Sequence, residues 1–319
     1  MGQVVATVIV LAVGFVAFAL FVWVKARRQE ARAEAQFPPE GQFVDIGGMQ
    51  IHAVTMGNGP DVVLIHGASG STRDMTFSLA PALAERYRVI VLDRPGLGYS
   101  DALTRDRGGV RHQAKVLAAA ARNLGAEKPI VMGQSYGGAV ALAWAVHHPD
   151  AISALVPVAA ASNPWTTPLD PFYRVTSHWL GSRLVIPMIT AFVPDSHVKK
   201  VVEEVFEPQS APHGYASHFG PSMTLRRRSL RINAAQRASL KEEITDLHTR
   251  YPDITVPTEI VHGTADDTVG LTLHSEKLVQ QIPAATLTRL DGIGHMPHQV
   301  AQEDVIAAID RAAARAGLR

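Results

Sequence analysis

After residue 40 the chain alternates short apolar runs with helix-length stretches, and no other feature limits its possible folds as strongly. The runs Val62–Ile65, Val89–Leu92, Ile130–Met132, Ala154–Val158, Glu259–Val261 and Thr286–Leu290 show little polar alternation. That composition suits strands of a sheet covered on both faces. Between them lie Thr72–Glu85, Val110–Leu124, Ala139–His148, Leu271–Gln281 and Ala301–Ala316, each long enough for a helix. Strand followed by helix, repeated, predicts a mostly parallel, doubly wound α/β sheet with right-handed crossovers. Phe43–Ile46 and Met49–Thr55 flank Gly47-Gly48 and read as a hairpin, adding an antiparallel edge.

The alternation stops between Ser162 and Pro252. This stretch is rich in proline and aromatic residues, with helix-like pieces but no clear strand. It lies between two core strands, so it must leave the sheet and return. The expected arrangement is a core of residues 41–161 and 253–319, with residues 162–252 as a helical cap over the C-terminal edge of the sheet. Open α/β sheets bind ligands at that edge.

The N-terminus is a different object. Residues 4–24 read VVATVIVLAVGFVAFALFVWV, without a charge. About 20 apolar residues are enough to cross a bilayer core, so residues 1–24 are read as one transmembrane helix and the bilayer as a partner. A cleaved signal peptide is the competing reading, with Ala17-Phe18-Ala19 as its cleavage site. Against it, no Lys or Arg precedes the run, and the run stays apolar to Trp23. Lys25, Arg27 and Arg28 follow immediately, and positive-inside then places the main body on the cytoplasmic side. Residues 25–40 read as a linker, helical until Pro38-Pro39 stops it.

Composition excludes several function classes. A formal net charge of +1 gives no support for a nucleic-acid partner. The chain has no cysteine, which removes disulfides, thiolate catalysis and cysteine-bound metals. The histidines show no metal-ligand spacing, so neither metal nor other cofactor is expected.

Chemistry concentrates around "IVMGQSYGGAVALAWAVHHP", residues 130–149. The pentapeptide G-x-S-x-G alone would occur by chance in about one chain in ten of this length. Its context is more specific. Ser135 follows a buried-type strand and precedes a helix, with Gly133, Gly137 and Gly138 as the small neighbours a sharp strand-to-helix turn requires. A serine hydroxyl needs a base, and the base needs an orienting acid. His295, in "DGIGHMPHQ", follows the last strand candidate, and Asp266, in "VHGTADDTV", follows the strand before it. Asp267 is the alternative acid, and His298 the alternative base.

Four motifs now stand in order: "HGASG" at 66–70, "DRPGLGYS" at 93–100, "GQSYGG" at 133–138 and "GIGH" at 292–295. With them, the chain from about Phe43 onward resembles the α/β-hydrolase fold family with an inserted cap. The resemblance implies a Ser135–His295–Asp266 triad, with the acid three residues after Gly263. It also implies an oxyanion hole from the backbone N–H groups of Ala68 and Tyr136. His66 and Asp93-Arg94-Pro95 are expected to shape loops beneath the site. Serine at 135 argues against the epoxide hydrolases and haloalkane dehalogenases, which carry aspartate there.

The implied activity is hydrolysis of an ester or related acyl bond in a small hydrophobic substrate. Ser69, Trp165, Phe172, Trp179 and Phe219 are candidates to touch it. The same triad also serves carbon–carbon hydrolases, lactonases, cofactor-free perhydrolases and proline iminopeptidases, for which Glu203, Glu204 and Glu207 could hold an amine. A non-enzymatic ligand receptor is the other class left open. The basic stretch "LRRRSLRINAAQR", residues 225–237, reads either as a solvated helix face or as a contact for anionic lipid.

Overall fold

The computed structural model describes residues 1–104 and 108–319. All eight expected strands form: β1 (Gln42–Asp45), β2 (Gln50–Met56), β3 (Asp61–Ile65), β4 (Arg88–Leu92), β5 (Ile130–Gln134), β6 (Ala154–Val158), β7 (Thr258–Gly263) and β8 (Ala285–Leu290). They make one sheet in the order β1-β2-β4-β3-β5-β6-β7-β8. The β1–β2 and β2–β4 pairs are antiparallel and the rest are parallel. The continuous apolar runs are explained directly: Val62 to Ile65, Val89 to Leu92 and Ile130 to Met132 are fully buried, with helices on both faces.

The helices, in chain order, begin with α1 (Gly2–Gln36), a single uninterrupted helix of 35 residues. In the core follow α2 (Thr72–Thr76), α3 (Leu79–Leu83), α4 (Val110–Asn123) and α5 (Tyr136–His147). Between β6 and β7 come α6 (Pro171–Ser177), α7 (Trp179–Phe192), α8 (Asp195–Glu204), α9 (Tyr215–Phe219), α10 (Pro221–Thr224) and α11 (Arg227–Leu247). After β7 come α12 (Ser275–Gln281), α13 (Pro297–Val300) and α14 (Gln302–Arg315). Sequence reading joined α2 and α3 into one helix over Thr72–Glu85. The break falls at Phe77-Ser78, where Pro81 has no N–H to give the Phe77 carbonyl.

Residues 162–252 do leave the sheet as helices without strands, but they do not all lie above it. Leu240, Ile244 and Leu247 of α11, with Tyr251, are buried in the same apolar cluster as Trp144 of α5. The end of this segment therefore packs with the core.

Two arginines of the basic stretch at 225–237 face α1. Arg227 forms a bidentate pair with Glu30 of α1, at 2.9 and 2.6 Å, and Arg226 reaches Glu34 at 3.1 Å. Burial would raise the Glu30 carboxyl, yet the Arg227 contacts outweigh it and hold the group below its ordinary value. Tyr99 Oη donates to the Phe37 carbonyl at 2.5 Å, and Arg73 Nη2 donates to that of Pro38 at 3.1 Å. The second half of α1 is thus fastened to the globular body by charge and hydrogen bonds, while residues before Phe21 stay exposed.

Candidate active site

Ser135 sits between β5 and α5 with φ 53° and ψ −115°, a conformation that L side chains seldom adopt. The turn can close because its neighbours lack side chains. A Cβ on Gly137 would lie 2.3 Å from the Ile65 carbonyl oxygen, and one on Gly133 would lie 2.2 Å from that of Gly137. Helix α5 then begins at Tyr136, three residues earlier than its glycine-rich start led us to expect. Its free N–H groups and positive dipole end face the serine.

The expected base and acid converge on that serine from two other strand ends. His295 Nε2 lies 3.0 Å from Ser135 Oγ, and His295 Nδ1 lies 2.8 Å from Asp266 Oδ2. All three side chains are buried or nearly so. Burial would raise the Asp266 carboxyl, but hydrogen bonds from His262 and His295 overcome this and hold it well below the usual carboxylate range. An ionised carboxylate only accepts, so His295 carries its proton on Nδ1 and offers the Nε2 lone pair to the serine hydroxyl. Asp266 Oδ1 accepts from the N–H of Thr268 at 2.9 Å and of Val269 at 2.8 Å, which fixes the carboxylate plane. Asp267 is exposed and, among the described residues, reaches the Thr268 hydroxyl at 3.4 Å. His298 faces Asp74 at 3.1 Å and takes no part in this line.

The loop at 66–70 lies beside the serine: a Cβ on Gly67 would come within 3.3 Å of Ser135 Cβ. That loop is held from below. Fully buried Arg94 donates to the carbonyls of His66 and Gly67, both at 3.0 Å, and to the side chains of Gln113 and Gln236. His66 Nε2 accepts from the Arg94 N–H at 3.0 Å. Burial, with Arg94 alongside, pushes His66 down to about 4, so it is a neutral strut. Asp93 accepts from the N–H of Thr72 and of Tyr99 and from His52 Nδ1. The expected loop-shaping role of His66 and of residues 93–95 thus corresponds to specific contacts. Ala68 and Tyr136 present no side-chain donor toward an oxyanion, so any such hole is made of backbone N–H groups.

Two residues escaped the sequence reading. Gln134 Nε2 donates to the His295 carbonyl at 3.1 Å, and its Oε1 lies where a Cβ on Gly67 would fall, tying the His295 loop to the 66–70 loop. His262 Nε2 lies 3.1 Å from Asp266 Oδ2 and 2.7 Å from the Val269 carbonyl, while Ser275 Oγ reaches its Nδ1 at 2.6 Å. Asp266 is thereby gripped by two histidines. His262 lies one residue beyond the run read from the sequence, in a strand that is buried at every position.

The inserted segment touches both sides of the site. Asn233 Oδ1 accepts from the Ser69 N–H at 2.9 Å, and Gln209 bonds the Gly294 N–H at 2.9 Å and the Gly292 carbonyl at 2.8 Å. Of the proposed substrate contacts, Phe219 is buried in a cluster with Phe206, Tyr215 and Met296, next to His295. Trp165 packs near His274 instead, with ring centroids 6.1 Å apart. Phe172 and Trp179 are 43% and 56% exposed, and Trp179 lines a cavity whose lining includes none of Ser135, His295 and Asp266. Glu203, Glu204 and Glu207 are also exposed, and Glu204 faces Lys200 at 3.8 Å.

A family model described as alpha/beta hydrolase fold matches residues 60–301, most of the chain. The chain belongs to this family. Among curated proteins, the α/β-hydrolase is 27% identical over 248 residues to the magnesium-chelatase 30 kDa subunit of Rhodobacter capsulatus, covering 77% of this chain and 84% of that one. An alpha/beta hydrolase fold protein from Burkholderia ambifaria is 26% identical with a TM-score of 0.69, over 84% of this chain and 96% of the other. A membrane phospholipase A described as a bacterial virulence factor shares the fold over 98% of this chain and 99% of its own, at 20% identity and TM-score 0.64.

The buried histidines give this hydrolase a testable acid sensitivity. Like His66, His274 is pushed down to about 4, first by burial and then by His262. A folded-state value below the unfolded 6.5 means the unfolded chain binds more protons between these values. The stability that depends on a neutral histidine is therefore full above pH 6.5 and is lost as pH falls toward 4, by up to about 3 kcal/mol per group. Thermal unfolding of the full chain in detergent should show Tm dropping from pH 7 to pH 5. His274→Gln should flatten that drop, and an unchanged slope in the variant would refute this assignment.

Proposed function

We propose that the chain is a serine hydrolase that cleaves an ester or related acyl bond of a small hydrophobic substrate. The observation that carries this is the unbroken line Ser135 Oγ, His295 Nε2, His295 Nδ1, Asp266 Oδ2, with separations of 3.0 and 2.8 Å. In this mechanism Ser135 Oγ attacks the substrate carbonyl carbon as its proton passes to His295 Nε2. The N–H groups of Tyr136 and Ala68 receive the oxyanion, and loss of one such donor costs about 3 kcal/mol. His295 returns its proton to the departing alcohol. Water, deprotonated by His295, then attacks the acyl-enzyme and releases the acid, restoring the Ser135 hydroxyl.

In this reading residues 4–24 span a bilayer, with the globular body on the cytoplasmic side behind Lys25, Arg27 and Arg28, and most of residues 162–252 cap the site. The length and mean hydropathy of α1 support the span, as does fold similarity to a membrane phospholipase A along nearly the whole chain. The buried cluster around Phe219 supports an apolar substrate.

The test is covalent. A fluorophosphonate should modify Ser135 and no other residue, as located by peptide mass spectrometry. Activity on p-nitrophenyl esters should pass through an optimum acyl length. Unmodified Ser135 combined with no ester turnover would reject the reading in favour of a ligand receptor.

A further inference from the structure

The exposed side of α7 is unusual for a helix bathed in water. Leu180, Leu184, Met188 and Phe192 recur every fourth residue, so they form one stripe, and each is between 37% and 51% exposed. Trp179 lies beside the start of this stripe, and Phe172 and Val175 of neighbouring α6 are also exposed. Single exposed apolar residues are ordinary, but an ordered row of them calls for a partner.

The place of the row identifies that partner. The C-terminal end of α7 meets α1 where the apolar run ends: the Phe192 and Phe21 rings lie 6.2 Å apart, and Ala191 packs with Val22 and Ala26. Lys25 Nζ stands 4.1 Å from the centre of the Phe192 ring. An ammonium over an aromatic ring at the end of an apolar run is the arrangement expected at the boundary between acyl chains and headgroups. The stripe therefore begins at that depth and continues the apolar surface of α1. Cations border it as they would anionic headgroups: Arg183 lies over the Trp179 ring, and exposed Arg174 adjoins Val175.

We propose that α7 lies in the acyl–headgroup layer of the bilayer that α1 crosses, a second membrane contact made by the inserted segment itself. The inference rests on the reading of α1 as a span. It assigns α6 and α7 to lipid, where a sequence reading of their aromatics looked for a substrate pocket.

The chain has no cysteine, so single reporters are simple to introduce. Phe18→Cys, Leu184→Cys, Met188→Cys and Lys241→Cys would each be made in the full chain. Each would be labelled with an environment-sensitive fluorophore and reconstituted in phosphatidylcholine–phosphatidylglycerol vesicles. Retention of ester turnover would confirm folding. Labels at 18, 184 and 188 should lose most of their emission to lipid-borne quenchers, while the label at 241 should respond only to aqueous iodide. A quenched label at 18 with water-exposed labels at 184 and 188 would overturn the α7 contact and leave the span intact. A label at 18 that lipid quenchers do not reach would reject the span, and with it the proposal. Labels at 184 and 188 shielded from both kinds of quencher would show a second chain on this face, which also overturns it.

Discussion

Ser135→Ala should lower kcat on a p-nitrophenyl ester by about 10^5- to 10^6-fold, because the acyl-enzyme route disappears with its nucleophile. The residual rate would come from binding and the backbone donors alone. Ser135 Oγ has one side-chain partner, His295 Nε2, so its removal leaves the Arg94 and Asp93 frame beneath the site untouched. Tm should therefore stay near that of the parent chain. Measured side by side, the rate and Tm separate lost chemistry from lost folding. A variant that turns over the ester at the parental rate would place the nucleophile elsewhere.

The second large effect concerns the acid. Asp266→Asn should reduce kcat by about 10^4-fold, since an amide opposite His295 Nδ1 can favour the tautomer that points a proton, not a lone pair, at Ser135. Asp267→Asn is the matched control. Asp267 is exposed and its nearest side-chain partner is Thr268, so its rate should not change. Equal losses in the two variants would point to disturbance of the 263–269 loop as a whole, and a loss confined to Asp267→Asn would reverse the assignment. His262 sharpens the comparison: it still bonds Val269 and Ser275 when Asp266 is replaced, so the loop keeps two of its anchors.

The parts legible in the sequence were those written in local pattern. Strands β3 to β6 were recognisable because buried parallel strands are continuous apolar runs, β1 and β2 because Gly47-Gly48 marks a hairpin, and Ser135 because a tight turn permits only small neighbours. The order of Ser135, Asp266 and His295 along three strand ends gave the convergence that the distances describe. What escaped depends on residues far apart in the chain. Gln134 looks like an ordinary strand residue until the 66–70 and 292–295 loops are brought against it, and His262 does so until the 263–269 loop folds back onto it. The grip of Arg226 and Arg227 on Glu34 and Glu30 joins segments separated by 192 and 197 residues. No local signal distinguishes such a basic face from a solvated one. The exposure of Phe172 and Trp179 was hidden for a related reason: an aromatic in a helix names a surface to be covered but not which side of the molecule it faces.

The clamp between α1 and α11 also converts translation into rotation. No swivel separates residues 4–24 from the docked half of α1, because the helix is continuous from Gly2 to Gln36. On the anchored reading, the body is mounted on its span as a crank is mounted on a shaft. Inserting one residue near Val24 would lift the body by about 1.5 Å but swing it by about 100° around the shaft. The angular phase of the chain is then the inherited quantity, and helix-preserving insertions of about seven residues, close to two full turns, should be tolerated where insertions of two are not.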